Sequence, residues 1–109
     1  MTKKIIEAKI ISNEEIADMI YRIVLKSEEA AADSEPGRFI NVYLRDKSML
    51  LPRPISICLA DKDEITLIYR VVGKGTKELS GYQTGEFLSI STPLGQGYYL
   101  DKVFEALDG

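Results

Sequence analysis

The stretch EITLIYRVVGKGT, residues 64–76, decides the fold. Its first part is rich in Ile, Thr, Val and Tyr, and β-branched and aromatic side chains favour strands. Two glycines then lead to Thr76, a residue type that often caps the start of a helix. Leu79 and Tyr82 follow at a spacing that places them on one helical face. We therefore predict a strand that ends in a glycine turn, then a short helix over residues 76–82 with Thr76 as its N-cap.

The same period-two alternation of apolar and polar residues recurs on both sides of this segment. It predicts further strands around residues 6–10, 19–26, 38–45, 55–60 and 86–92. Turn-forming residues separate them, with a turn or wide loop expected at residues 12–15 and a solvated loop at residues 26–35. Six strands at this spacing are typical of an antiparallel barrel or sandwich.

Length and charge restrict the class of protein. The 109 residues suffice for one domain, with 45% hydrophobic and 28% charged residues, as in ordinary soluble proteins. The net charge of −3 argues against nucleic acid as the main partner, because phosphate binding usually requires a basic surface. No signal peptide or membrane-spanning stretch is recognisable. We expect a soluble, cytoplasmic domain that contacts no membrane.

Histidine and cysteine usage limits the chemistry. The chain has no histidine, which excludes Ser-His-Asp and Cys-His catalysis and histidine-ligated metal sites. Its single cysteine, Cys58, excludes an intrachain disulfide and an iron–sulfur cluster. Cys58 follows Ile57 in an apolar strand, so we expect it to be buried. Any redox chemistry would need a cofactor, and neither catalytic side chains nor a metal site are predicted.

The first candidate site is LPRPIS, residues 51–56. Prolines on both sides constrain the backbone around Arg53. A guanidinium held in this way suits a pair of phosphate oxygens, and Ser56 adds a hydroxyl on the same strand. The alternative is an arginine at the barrel rim that forms a surface ion pair and is stiffened by prolines for stability.

The second candidate site is the end of the deciding stretch. Arg70 adds a second guanidinium, and the glycines before the helix permit close approach of a phosphate to its amino end. The spacing matches neither the Walker pattern nor the dinucleotide fingerprint, so a plain turn with a capped helix is the alternative. Tyr69 and Tyr43 suit a planar ligand but are equally ordinary rim residues of a small barrel.

A third candidate is the loop PLGQG, residues 93–97, with its following tyrosines. It could wrap a planar ligand, but its composition favours a turn that ends the barrel. Taken together, the motifs RPIS, IYR, GKGT and PLGQG resemble the ferredoxin-reductase-like flavoprotein family, and within it the dihydroorotate branch. The resemblance extends over residues 4–98. It covers only that family's N-terminal, FAD-binding domain.

The resemblance implies an all-β fold, a six-stranded antiparallel Greek-key barrel with one short helix and FAD along its rim. It also implies the role of each motif. Arg53 would meet the FAD pyrophosphate. The other expected contacts are Pro54, Ile55 and Ser56 along the flavin, Ile68, Tyr69 and Arg70 at the flavin and ribityl chain, and Gly75 and Thr76 at a phosphate.

The family pattern also implies what lies beyond the barrel. Residues 1–100 would form the FAD-binding domain, and residues 101–109 a stub leading to a nicotinamide-binding domain absent from this chain. The family's [2Fe–2S] cluster could not be bound with Cys58 alone. The implied function is electron transfer between a flavin and NAD in dihydroorotate oxidation, a step of pyrimidine biosynthesis, with a catalytic dihydroorotate dehydrogenase subunit as partner. By itself the chain would be catalytically incomplete, and a homodimer is a further expectation.

Two alternatives to that function remain open. Related flavin domains occur in sulfide dehydrogenase and ferredoxin:NADP oxidoreductase subunits, which share the barrel motifs. The other alternative is a small barrel without enzymatic function that acts as an interaction module, with its glycine loops as plain turns. Such a module would not bind flavin.

Overall fold

A computed structural model describes residues 5–32, 34, 38–44 and 53–94, with the backbone alone for Arg53. These residues form six strands and two short helices. The strands are β1 (Ile5–Ala17), β2 (Ile20–Lys26), β3 (Phe39–Tyr43), β4 (Arg53–Asp61), β5 (Glu64–Arg70) and β6 (Phe87–Ser91). The helices are α1 (Glu28–Ala32) and α2 (Gly73–Ser80).

The strands close into a barrel in the order β1-β2-β5-β4-β3-β6. All neighbouring strands run antiparallel. Strands β3, β4 and β5 are consecutive neighbours, and β2 lies beside β5, which makes this group a Greek key. The barrel and its Greek-key order confirm the predicted fold class.

The core fills the inside of the barrel because alternate residues of each strand point inward. Ile23 and Leu25 on β2 face Ile65 and Leu67 on β5, and all four are completely buried. Leu79 and Tyr82, predicted to share a face, are 1% and 4% exposed and belong to the same cluster. The remaining core residues include Ala8, Ile10, Ile40, Val42, Leu88 and Ile90.

The first strand is longer than the sequence pattern predicts. Residues 12–15, expected to form a turn or wide loop, lie inside β1 and pair with β2. The register shifts between Ile10 and Ser12 and again between Glu15 and Ala17. Such bulges add a residue and break the period-two pattern that marks a strand. The chain reverses only at Asp18 and Met19, where Met19 has a φ of 61°.

Two helix predictions were wrong in detail. Part of the expected loop at residues 26–35 is α1, whose Ala30 N–H donates to the Ser27 hydroxyl at 3.2 Å. The second helix begins at Gly73, so Thr76 lies inside it and is not its N-cap. The Thr76 hydroxyl instead accepts from the Val72 N–H at 2.7 Å and donates to the Val72 carbonyl at 3.0 Å.

Cys58 was expected in the core and is exposed. Alternation along β4 starts from the buried Ile55, which directs Ile57 inward and Cys58 outward. The ladder with β5 then skips from Ile57–Leu67 to Leu59–Thr66, so a bulge at Cys58 also turns Leu59 outward, with 61% of it exposed. The apolar residues next to Cys58 therefore led to a wrong prediction, because only one face of this strand is buried.

Several predictions fall outside the described residues. These are the Arg53 side chain, residues 95–99 of the third candidate site and the boundary at residue 100. Within the described part of the chain, neither helix has the length and apolar character needed to span a membrane.

Candidate functional site

The barrel wall opens between β4 and β5. Their ladder extends from Asp61–Glu64 to Ile57–Leu67. Past that last pair, residues 53–56 continue to pair with β3 and residues 68–70 continue to pair with β2. Among the described residues, no register pair joins these two segments. We call the gap between residues 53–56 and 68–70 the slot.

The β5 side of the slot presents backbone hydrogen-bonding groups. The Val71 N–H donates to the Met19 carbonyl at 2.8 Å, just beyond the Ile20–Arg70 pair. In an antiparallel ladder this bond identifies Ile20–Arg70 as a pair that is not directly hydrogen-bonded. The N–H and C=O groups of Arg70, and by alternation those of Ile68, therefore point towards β4. The Ile57–Leu67 pair is of the same kind, so the Ile68 N–H bonds to the Ser56 carbonyl, and the Ile68 carbonyl and both backbone groups of Arg70 face the slot.

The β4 side of the slot follows the same rule. The Ile57 N–H donates to the Arg38 carbonyl at 3.1 Å, just beyond the Phe39–Ser56 pair. The Ser56 N–H and the Pro54 carbonyl therefore face the slot, while the Ser56 carbonyl accepts the last bond of the ladder. Since proline has no N–H, Pro54 cannot donate a bond that would extend the ladder to β5. A proline in the RPIS motif thus gives a physical reason for the gap.

Side chains at the slot separate into two sets. Pro54, Ser56, Ile68 and Arg70 are exposed on the outer face of the barrel, with Ile68 43% exposed. Ile55 and Tyr69, by contrast, are 8% and 5% exposed and belong to the core. A ligand on the outer face would meet the outward set directly and only the backbone of the two core residues.

Tyr69 has a structural environment. Its hydroxyl donates to Asn13 Oδ1 at 2.9 Å, and its ring stacks on Tyr21 with centroids 5.6 Å apart and planes 20° from parallel. Burial raises the pKa of the Tyr69 hydroxyl above its ordinary value. This favours the reading of Tyr69 as a packing residue. Tyr43, the other aromatic candidate, is half-buried at the end of β3.

The helix α2 begins at Gly73, three residues after Arg70. Val72 at the N-cap provides no side-chain cap, so the N–H groups of Gly73, Lys74 and Gly75 have no partner within the helix. Gly73 has a φ of +85°, a conformation that glycine adopts without strain. Gly75 and Thr76 are both buried. Because the Thr76 hydroxyl is bonded to Val72, any anion here would meet the backbone N–H groups first.

Sequence reasoning missed Asn13 and Tyr21. Asn13 Nδ2 donates to the carbonyls of Leu79 and Tyr82, 66 and 69 residues along the chain, and Oδ1 accepts from Tyr69. No local pattern identifies partners at this separation. An asparagine followed by acidic residues suggested a turn, and only the bulged strand β1 places it between β5 and α2.

Metal binding has no support in the described part of the chain, which contains no group of three or more Cys, Asp or Glu side chains able to hold an ion. The site is therefore defined by backbone groups, the Arg70 guanidinium and the α2 amino end. This set suits a ligand that combines a planar hydrogen-bonding edge with negative charge.

Solved structures share this barrel. The chain aligns with an NADH-dependent reduced ferredoxin–NADP oxidoreductase at a TM-score of 0.68 and 23% identity, over 74% of this chain and 29% of the other. It aligns with a flavohemoglobin from Malassezia yamatoensis with bound FAD and heme at a TM-score of 0.69 and 18% identity, over 84% and 25% of the two chains. The fold is therefore that of ferredoxin-reductase-like flavin domains.

Comparison with known sequences confirms the resemblance found in the motifs. The chain is 41% identical over 99 residues to the electron transfer subunit of dihydroorotate dehydrogenase B (NAD⁺) from Listeria innocua. That alignment covers 89% of this chain and 39% of the relative, so the chain spans about two fifths of the relative's length. No protein-family model matches the chain.

Proposed function

We propose that the slot and the amino end of α2 together bind FAD, and that the chain is the flavin domain of an electron-transfer subunit. The main observation behind this proposal is the gap in the barrel wall. Two neighbouring strands leave backbone donors and acceptors facing each other there, beside an exposed arginine and an uncapped helix. A plain structural barrel would have no reason to leave these groups without strand partners.

The flavin ring fits the slot by chemistry. An isoalloxazine has two apolar faces and one edge that alternates hydrogen-bond donors and acceptors. Pro54 and Ile68 supply exposed apolar surface, and the backbone groups of Ile68 and Arg70 supply both kinds of hydrogen-bonding partner. Ser56 adds a hydroxyl that can donate or accept at the ring. Ile55 and Tyr69 support this surface from inside the barrel.

The pyrophosphate fits the neighbouring surface. Two negative charges require fixed positive partners, and Arg70 and the α2 amino end lie within a few residues of each other. A guanidinium gives bidentate hydrogen bonds, while the helix end gives N–H groups and the positive end of its dipole. Gly75 contributes a backbone N–H within this turn. Arg53, at the start of β4, is proposed as the second guanidinium on the basis of the family resemblance.

In this arrangement the cofactor and the protein have different roles. Bound FAD would supply the redox chemistry, for which the chain, with its single cysteine, has no thiol pair. The protein binds the cofactor, orients its ring at the barrel surface and neutralises its phosphates. No residue of this chain is assigned a proton-transfer role.

The reaction is proposed from the relatives. An electron-transfer subunit of the Listeria innocua kind implies oxidation of dihydroorotate by a catalytic partner subunit, with NAD⁺ as acceptor and pyrimidine synthesis as the context. The ferredoxin–NADP oxidoreductase alignment supports a second candidate, the flavin domain of such an enzyme, because the two share the barrel. We favour the role in dihydroorotate oxidation because the chain is 41% identical to the electron transfer subunit and 23% identical to the oxidoreductase.

The direct test is a visible absorption spectrum of the purified protein, followed by titration with FAD and FMN monitored by flavin fluorescence. We expect a bound-flavin spectrum and tighter binding of FAD than of FMN, because only FAD carries the pyrophosphate. A colourless protein that cannot be loaded with FAD contradicts the proposal and leaves the interaction-module alternative.

A further inference from the structure

Asn13 connects β5 at the slot to the carboxyl end of α2 through hydrogen bonds on both of its amide atoms. Its Nδ2 donates to the Leu79 carbonyl at 2.9 Å and to the Tyr82 carbonyl at 3.0 Å. Its Oδ1 accepts from the Tyr69 hydroxyl at 2.9 Å. Both amide protons and the oxygen are therefore engaged, one side with the end of α2 and the other with β5.

The two carbonyls lie at the carboxyl end of α2 and just beyond it. The Leu79 carbonyl also accepts from the Tyr82 N–H at 3.1 Å, so Asn13 adds a second bond there and holds the turn after the helix through the Tyr82 carbonyl. At the opposite end, Thr76 binds Val72 and so ties the first turn to the end of β5. The helix is thus held at both ends, by Thr76 to its own chain and by Asn13 to the barrel.

An amide is the group that this position requires. Asparagine offers two N–H donors and an acceptor on one planar group. An aspartate in its place would direct carboxylate oxygens at the Leu79 and Tyr82 carbonyls, which cannot donate. An alanine would leave those carbonyls and the buried Tyr69 hydroxyl without these partners.

We propose that Asn13 is a positioning residue for FAD binding. By fixing the carboxyl end of α2 to Tyr69, it keeps the amino end of α2 beside Arg70, where the pyrophosphate is proposed to bind. Asn13 acts through the helix and needs no contact with the cofactor. This inference rests on the proposed FAD site and adds a residue that the family motifs do not include.

The test compares two flavins in three variants, Asn13→Ala, Asn13→Asp and the control Thr84→Val. The Thr84 hydroxyl donates to the carbonyl of Ile11, which lies in β1 with Asn13, at 3.3 Å. We expect Asn13→Ala to weaken FAD binding by about tenfold, the equivalent of one lost hydrogen bond, and Asn13→Asp to weaken it further. Riboflavin, which lacks phosphate, should bind all three variants as it binds the unmodified protein.

Hydrogen exchange of the flavin-free protein gives the second readout. In Asn13→Ala the amides of α2 should exchange faster, while those of β2 and β5 keep their rates. Equal weakening of FAD and riboflavin, or faster exchange in the strands as well, would show that Asn13 only stabilises the barrel and would overturn the inference. Unchanged FAD affinity in both Asn13 variants would overturn it too.

The two proposals fail in different ways. If the unmodified protein does not bind FAD, the proposed function is wrong, and unchanged exchange rates in Asn13→Ala would then also reject the anchoring of α2. If the unmodified protein binds FAD and the Asn13 variants bind it equally well, only the positioning role is wrong.

Discussion

The wall between β2 and β5 and the slot between β4 and β5 share one strand and differ in what their backbones do. Along β2, pairing with β5 is continuous from Lys26–Glu64 to Ile20–Arg70. Along β4, pairing with the same strand stops at Ile57–Leu67. Both regions are built from similar apolar and β-branched residues. The barrel is therefore specified by side-chain alternation, and the candidate site by the place where backbone pairing ends.

This difference has a local cause in β4. The Cys58 bulge shifts the register, and Pro54 removes an N–H from the edge that faces β5. The residues of β2 carry neither feature opposite β5. Stability and ligand binding should accordingly respond to different substitutions in the two regions.

The largest effect is expected in the wall, from Leu25→Ala. Leu25 is completely buried, and removal of a core leucine costs about 2–5 kcal/mol of unfolding free energy. Urea unfolding measures it, while FAD affinity of the folded variant should be unchanged. The matched apolar truncation in the slot, Ile68→Ala, should change stability by only about 0.5 kcal/mol and weaken FAD binding. Equal loss of FAD affinity in both variants would contradict the separation of wall and slot.

The next effect is expected in the slot, from Arg70→Ala. Loss of a hydrogen bond to a charged group should weaken FAD binding by about 1.5–3 kcal/mol, and Arg53→Ala should fall in the same range. Since Arg70 is exposed, its removal should leave thermal stability nearly unchanged. The control is Lys26→Ala, an exposed cation at the far end of β2 that lies 3.7 Å from Asp63. If Lys26→Ala weakened FAD binding as much as Arg70→Ala does, the effect would come from the loss of any positive charge and not from the position of Arg70.

A smaller, pH-dependent effect is expected from Tyr69, which lies at the junction of wall and slot. Burial raises its pKa above the ordinary value of 10.0, so the folded state retains a proton that the unfolded state loses. This contribution to stability is complete below pH 10 and is lost as the pH rises above it, by up to about 1.4 kcal/mol per unit. Urea unfolding at alkaline pH should show that Tyr69→Phe loses less unfolding free energy with rising pH than the unmodified protein does. Parallel profiles would mean that Tyr69 ionises freely in the folded protein.

Much of the barrel could be predicted from sequence because alternation reports which side chains point inward. The six strands and the burial of Leu79 follow from it. The limits of β1 and the exposure of Cys58 did not, because bulges change the alternation without a local mark. The helix start was misplaced because the Thr76 hydroxyl binds Val72 within the first turn, and glycine at position 73 already permits the turn.

The candidate site could be predicted as motifs but not as geometry. The RPIS and IYR motifs lie on opposite sides of the slot, which the antiparallel order of β4 and β5 brings together. Which of their side chains face outward depended on register, and Ile55 and Tyr69 proved to face the core. Asn13 could not be found because its partners are far away in the chain and are backbone carbonyls.

The most direct test of the central claim is hydrogen exchange at the amides of Ser56 and Arg70, measured with and without FAD. Both N–H groups point into the slot, where no register pair between β4 and β5 engages them, so they should exchange fast without FAD and become strongly protected when it binds. The amide of Tyr69, already bonded to β2, should stay protected in both states. Protection of Ser56 and Arg70 without FAD, or no change on FAD binding, would contradict the assignment of the slot as the flavin site.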